Sequence, residues 1–387
     1  MPIYVFDEFG PEATAMLQAL YSRSSQSVTQ HIDKVRSTGS SKFMESYYVG
    51  YGHASIGDCG TTTIFIEDIS IIATKVIQDN PLYSGQESST RYIDFSKQNI
   101  VDPSNSQIGQ DIQKRWLDFY LSQQEELISF LEKRFPLQSG QNERIWNKAI
   151  QARSFDILRG FLPAGVCTQL SWTTNLRQAA DNLVRLSTHP LEEVRLIAED
   201  IHEKLSSKYP SSFSHRIDET RNNYLKDYQA EHALLRPNRI DYEFKAESIL
   251  KTSPNNHVLN TILNRPARST LPRNVANAGR YRISCLLDYG SFRDLQRHRN
   301  AYCPLPLLTT QLGFNKWYLE QMPDSIRASA NNLINEQESH ISNLQNTIQD
   351  QEVMQYYIPM GYNVQVELEY DLSEILYVSE LRSSKTV

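Results

Sequence analysis

The 387-residue chain lacks most of the signatures by which a sequence declares its chemistry. No G-x-G-x-x-G follows a strand-forming run, and no G-x-x-x-x-G-K-[ST], G-x-S-x-G or H-E-x-x-H occurs. That excludes the common dinucleotide-binding, phosphate-loop, serine-hydrolase and zinc-peptidase readings. The few cysteines, Cys59, Cys167, Cys285 and Cys303, form no C-x-x-C pair and stand without nearby histidine ligands. Neither a metal site nor a disulfide framework is expected, and buried free thiols are the default. No apolar run reaches the roughly 18 to 20 residues that span a bilayer. The amino-terminal "MPIYVFDEFG" also lacks the regions of a signal peptide, so a cytoplasmic protein without membrane partners is expected. Positive charge is not in excess either: the formal net charge of −6 argues against bulk nucleic-acid binding, which needs a basic surface to release counterions. Any phosphate is then held locally.

What is present is a composition of 40% hydrophobic and 22% charged residues with no low-complexity tract, enough for two or more cores. Tyrosine, at 21 residues, dominates the aromatics, in keeping with polar, ligand-lined surfaces. The segment "GPEATAMLQALYSRSSQSVTQHIDKVRSTG" predicts one or two helices, and β-branched "TTTIFIE" (61–67) a strand. "SIIATKVIQ" (70–78) follows as a helix capped by Ser70, before "NPLYSG" breaks it. A long amphipathic helix is expected over 111–134, with two more over 178–186 and 191–205. The chain turns polar from Tyr209 to about Arg239, where a domain junction is placed. The second half then repeats the order of the first: a strand over 281–289, a helix "SFRDLQRHR", a proline-rich loop, and a long helix from Ser325 to about Gln349. Finally "YYIPMGYNVQVELEYDLSEILYVSELR" parallels "ILRGFLPAGVCTQLSWTTNLRQAADNLVRL". An internal duplication is the simplest account.

Two segments could carry chemistry. In "YSGQESSTRY", an extended backbone would put Glu87, Ser89 and Arg91 on one face, where carboxylate, hydroxyl and guanidinium can hold a uracil edge, a ribose and a phosphate. The residue types by themselves favour a plainer reading, a surface Arg91–Glu87 pair in a turn. In "GSFRDLQRHRN", Ser291 is expected to cap a helix with Asp294 three residues on, stacking Arg293 and Arg297 at i and i+4 beside His298 and Arg299. Converging guanidiniums bind phosphate bidentately. A solvated basic face is the plain alternative. His53, and the arginines closing "TNLR" and "SELR", say little by themselves.

Together these residues resemble the flavin-dependent thymidylate synthases, an α+β family marked by an Arg-His-Arg followed closely by an Asn-Glu-x-Ser-x-Arg-Tyr-like signature. The stretch from "YGHAS" to "QESSTRY" is similar to the family over its whole length, with Gln86, Glu87, Ser89, Arg91 and Tyr92 at the signature. "RGFLPAGVCTQLSWTTNLR" matches a later segment through Arg159, Pro163, Asn175 and Arg177. Where the family has Arg-His-Arg, the first half reads Gln78, Asp79, Asn80. The second half supplies Arg297, His298 and Arg299, has no E-x-S-x-R, and offers Arg382 as the late nucleotide-binding arginine.

The resemblance implies an α+β fold of two tandem synthase-like repeats, 1–225 and 226–387, each with an antiparallel sheet and packed helices. It implies a homo-oligomer, a dimer of fused pseudo-dimers, with one composite site shared between the retained motifs. The implied reaction is reductive one-carbon transfer from methylene-tetrahydrofolate to the uracil ring of dUMP or a related uridine nucleotide, with FAD as cofactor and NADPH as reductant. The implied catalytic residues are Arg91, Ser89, Arg297 and Arg299, and the substrate-binding set is Gln86, Glu87, Ser89, Arg91, Arg159 and Arg382. The implied flavin contacts are His53, Asn175, Arg177, Arg297, His298 and Arg299, with no metal. The alternative is a diverged homologue that binds nucleotide or flavin, or is structural, without methylating.

Overall fold

The β-branched run after Gly60 becomes strand β1 (Thr61–Ser70), and Ser70 starts the helix Ile71–Gln78 by accepting the Ala73 N–H at 3.0 Å. These come from a computed structural model, which describes residues 7–91, 93–214, 218–238, 244–249, 256–266, 269, 271 and 273–383. The remaining strands are β2 (Cys167–Asn175), β3 (Lys245–Ser248), β4 (Arg280–Asp288) and β5 (Asn363–Asp371). β1 pairs with β2, and β3–β4–β5 form an antiparallel sheet in which Ile283 faces Leu368. With helices making up most of the rest, the fold is α+β.

Contacts divide the chain into two compact units, each drawn from several stretches. The first contains 1–67, 82–87 and 169–233. Its helices Pro11–Tyr21 and Val28–Thr38 meet through Met16, Leu17 and Val35. A π-helix over Met44–Gly50 follows, and helices Leu176–Ser187 and Glu192–Lys208 close the unit. The polar stretch expected to be a junction holds a helix, Glu219–His232, and the unit ends just beyond it.

The second unit contains 68–81, 88–168 and 234–387, thus drawing on both halves of the sequence. The helix expected over 111–134 is two, Gln107–Ser122 and Gln124–Arg134, because Gln123 ends the first and starts the second. The first packs on Asp324–Ile348, where the Gln337 side chain donates to the Ile112 carbonyl at 2.7 Å.

Within this unit the backbone hydrogen bonds come in reciprocal pairs. Ala164 N–H donates to the Ile358 carbonyl and Met360 N–H to that of Leu162, both at 3.0 Å. Ile71 donates to Val166 at 3.1 Å as Tyr289 does to Tyr362 at 3.0 Å. Val101 donates to Gly165 and Asn315 to Gly361, each at 2.9 Å. A local two-fold therefore relates 160–166 to 356–362, 70–72 to 288–290 and 99–101 to 313–315.

This register corrects three expectations. Asp288, not Ser291, caps the helix Tyr289–Leu295, accepting the Ser291 N–H at 2.8 Å as Ser70 does for its own helix. The helix ends before Arg297, so Arg293 and Arg297 do not stack: Arg293 is buried against the Met360 sulfur, and Arg297 is exposed. With Ser70 matched to Asp288, the counterparts of Arg297, His298 and Arg299 are Asp79, Asn80 and Pro81, one residue later than sequence spacing indicated. The four cysteines form no disulfide among the described residues, and only Cys167 is fully buried, where buried thiols were expected throughout.

Candidate functional site

The second unit gathers guanidiniums from distant stretches. Arg91 lies in the turn after Ser89, whose hydroxyl accepts the Arg91 N–H at 3.3 Å. That turn ends the alternation expected to align Glu87, Ser89 and Arg91. Gln86 and Glu87 belong to the first unit, where the Ser171 N–H donates to the Gln86 carbonyl at 2.8 Å and Glu87 bridges Leu170. Tyr92 lies outside the described residues.

The Arg91 guanidinium grips Asp156 with two parallel hydrogen bonds, Nε to Oδ1 at 2.9 Å and Nη2 to Oδ2. That contact, ahead of the opposing effect of burial, raises its pKa. Asp156 stands one turn before Arg159, at the end of the helix Glu143–Leu158. The Arg159 Nη1 lies 3.8 Å from Asp156 and 3.7 Å from Asp294, and its buried Nε has no hydrogen-bond partner among the described residues. Burial opposes its charge, but the surrounding oxygens of Tyr318, Asp294, Asp156 and Asp288 outweigh this and raise its pKa. Asp294 also lies 3.7 Å from Arg297, while its backbone carbonyl accepts from Arg382 at 2.6 Å. His298 is buried between Arg382 at 3.4 Å and Glu374 at 3.5 Å.

Arg91, Arg159, Arg297 and Arg382 thus share the residue pair Asp156 and Asp294. Sequence reasoning missed both acids, since nothing local distinguishes them from surface carboxylates. Arg299 departs from the expected phosphate-side position. Its Nε donates to the Gln78 carbonyl at 3.1 Å, closing the end of the helix Ile71–Gln78.

The other implied flavin residues lie in the first unit. His53 is exposed beside Tyr51 and Tyr47, ring centroids 6.1 and 6.4 Å away. The Asn175 side chain caps the helix Leu176–Ser187 by accepting the Gln178 N–H at 2.8 Å. Arg177 pairs with Asp58 at 2.7 Å yet keeps about a third of its side chain exposed. Among the described residues, no cluster of His, Cys, Asp and Glu could hold a metal, and no helix is long and apolar enough to cross a membrane.

Four guanidiniums gathered about the residues Asp156 and Asp294 make an arrangement whose chemistry suits a small anion. Residues 5–211 match the family described as thymidylate synthase complementing protein, and the chain belongs to that family. It is 25% identical over 389 residues to the UPF0159 protein of Chlamydia muridarum, covering 86% of this chain and 73% of the relative. To a UPF0159 protein of Thermoplasma acidophilum it is 22% identical over 447 residues, covering 95% and 88%. Among solved structures it is similar to the flavin-dependent thymidylate synthase ThyX of Helicobacter pylori complexed with FAD and dUMP. That likeness has 14% identity and a TM-score of 0.31 over 53% of this chain and 92% of the other, too loose to transfer geometry.

Proposed function

We propose that the chain is a flavin-dependent thymidylate synthase-like enzyme that transfers a one-carbon unit reductively from methylene-tetrahydrofolate to the uracil ring of dUMP or a related uridine nucleotide, with NADPH as reductant. Family membership supports the class of reaction. The observation that carries the substrate reading is Arg159, a largely buried guanidinium whose Nη1 has, among the described residues, no carboxylate closer than 3.7 Å. A guanidinium so loosely paired can give its Nη donors to a phosphate oxygen.

On this reading Arg159 and Arg382 anchor the phosphate, and Arg91 exchanges Asp156 for the ligand. Ser89 orients the nucleotide, and Arg297 holds positive charge near the anion that develops on the ring. FAD, when bound, supplies the hydride. Exposed His53 with the Tyr47 and Tyr51 rings, and the exposed part of Arg177, fit a planar, polyanionic cofactor, with Asn175 in the same unit completing the proposed set. The halves 1–225 and 226–387 are then diverged repeats, assembled as homo-oligomers and sharing one site. A second reading, nucleotide or flavin binding without methylation, is favoured by Arg299 being engaged with the Gln78 carbonyl.

Purified protein titrated with FAD should develop a bound-flavin spectrum, and calorimetry should show dUMP binding that Arg159→Ala weakens more than tenfold, a loss of about 1.5 to 3 kcal/mol. With NADPH and methylene-tetrahydrofolate, dTMP should form. Binding of both ligands without dTMP selects the second reading, and no flavin uptake rejects the enzyme.

A further inference from the structure

Arg159 rests in a cradle that the fold does not require. Gly290 opens the helix Tyr289–Leu295, and a Cβ there would lie 3.1 Å from Asp288 Oδ1, 3.2 Å from the Tyr318 hydroxyl and 3.5 Å from Arg159 Nε. Those three groups therefore border one small space that only glycine leaves open. The buried Tyr318 hydroxyl donates to Asp288 Oδ1 at 2.6 Å, and its ring packs so closely on Gly160 that a Cβ there would lie 2.8 Å away.

The local two-fold supplies an internal control. The counterparts of Asp288, Gly290 and Arg159 are Ser70, Ile72 and Gln355, and Ser104 stands at the spacing of Tyr318. Ser70 caps its helix, Ile72 makes the same backbone contact as Gly290, and Gln355 is spent on the Leu308 N–H at 3.0 Å. A serine cap and a bulky aliphatic thus suffice for the architecture. The carboxylate, the glycine and the tyrosine occur together only where the arginine is.

We infer that Asp288 and Tyr318 are positioning residues that hold the Arg159 guanidinium from its Nε side, leaving its Nη groups for the phosphate of the nucleotide. The inference rests on the proposed nucleotide site. Asp288 adds a buried negative charge beside the cation, and Tyr318 fixes that carboxylate while its ring seals the space against water. Gly290 keeps the three groups in reach of one another.

The test is calorimetric titration of the FAD-supplemented full chain with dUMP and with deoxyuridine, which lacks the phosphate. Asp288→Ser is the decisive variant, because Ser70 shows that serine caps this helix start. It should bind dUMP at least tenfold more weakly and deoxyuridine unchanged, and Arg159→Lys added to it should cost less than a further threefold. If Asp288→Ser does not fold, Tyr318→Phe, which keeps the ring and removes only the hydroxyl, should still weaken dUMP severalfold and spare deoxyuridine. Equal loss for both ligands would mean a general structural role and overturn the inference. So would an Asp288→Ser protein that binds dUMP normally while Arg159→Lys does not. Normal dUMP binding by Arg159→Lys itself would refute the nucleotide reading along with it.

Discussion

His189 shows how a residue's burial sets a property of the protein. Its Nδ1 accepts the Leu191 N–H at 3.1 Å, so the ring is neutral with its proton on Nε2, which is buried with no partner among the described residues. Burial, with Arg185 and Arg195 nearby, lowers its pKa from 6.5 to about 3. Between those values the unfolded chain takes up a proton that the native protein refuses. This contribution is therefore complete above pH 6.5 and is lost as pH falls toward 3, at about 1.4 kcal/mol per unit. Urea unfolding of His189→Asn, which keeps an acceptor for Leu191, should show a flatter fall in stability from pH 6.5 to 4. A slope equal to that of the parent would exclude His189 as its source. At this scale the arginines were legible as candidate phosphate ligands because guanidinium chemistry is carried by residue type. Asp156, Asp294, Asp288 and Tyr318 were not, because a buried carboxylate and an exposed one are spelled alike.

At the scale of elements the helix start at Ser70 was legible, and the structure repeats that strand-to-cap junction at three more places. Ser70, Asn175, Asp288 and Asp371 each cap the helix that follows β1, β2, β4 or β5. Asn175→Ala should cost about 1 kcal/mol through the lost cap. Asn175→Ser keeps a capping oxygen, so its melting temperature should stay near the parent's while flavin affinity falls, if the amide contacts FAD. Unchanged flavin titration would leave Asn175 as a cap alone. The segment 84–87 approaches β2 closely enough that a Cβ on Gly85 would lie 1.9 Å from the Ser171 carbonyl oxygen. Gly85→Ala must displace backbone and should destabilise the protein by several kcal/mol, on the order of an overpacked core position or more. A melting temperature within a degree of the parent would contradict that approach. The serine placed as a cap in "YGSFRDLQRHR" failed because Asp288, three residues earlier, offers its carboxylate first.

For the whole molecule, the arginine cluster predicts strong coupling between residues far apart in sequence. Arg91→Ala and Arg297→Ala should each weaken dUMP by tenfold or more, and together far less than the product, since losing either misplaces the shared phosphate. Strict additivity in calorimetry would mean that they serve separate sites. Because the counterparts of Arg159, Arg297 and Arg382 are Gln355, Asp79 and Leu186, saturation at one dUMP per chain is expected, and two would contradict the asymmetry. The sequence by itself determined strands β1 and β4, most helices and the family resemblance, since periodicity, capping and motif spacing act over a few residues. Only the tertiary structure decided that Arg91 meets Asp156, that Asp294 lies between Arg159 and Arg297, and that Arg299 turns to the Gln78 carbonyl. Those pairings join stretches brought together by the reciprocal hydrogen bonds of 160–166 with 356–362. Such closure depends on how two distant surfaces pack, and local residue preferences do not encode it.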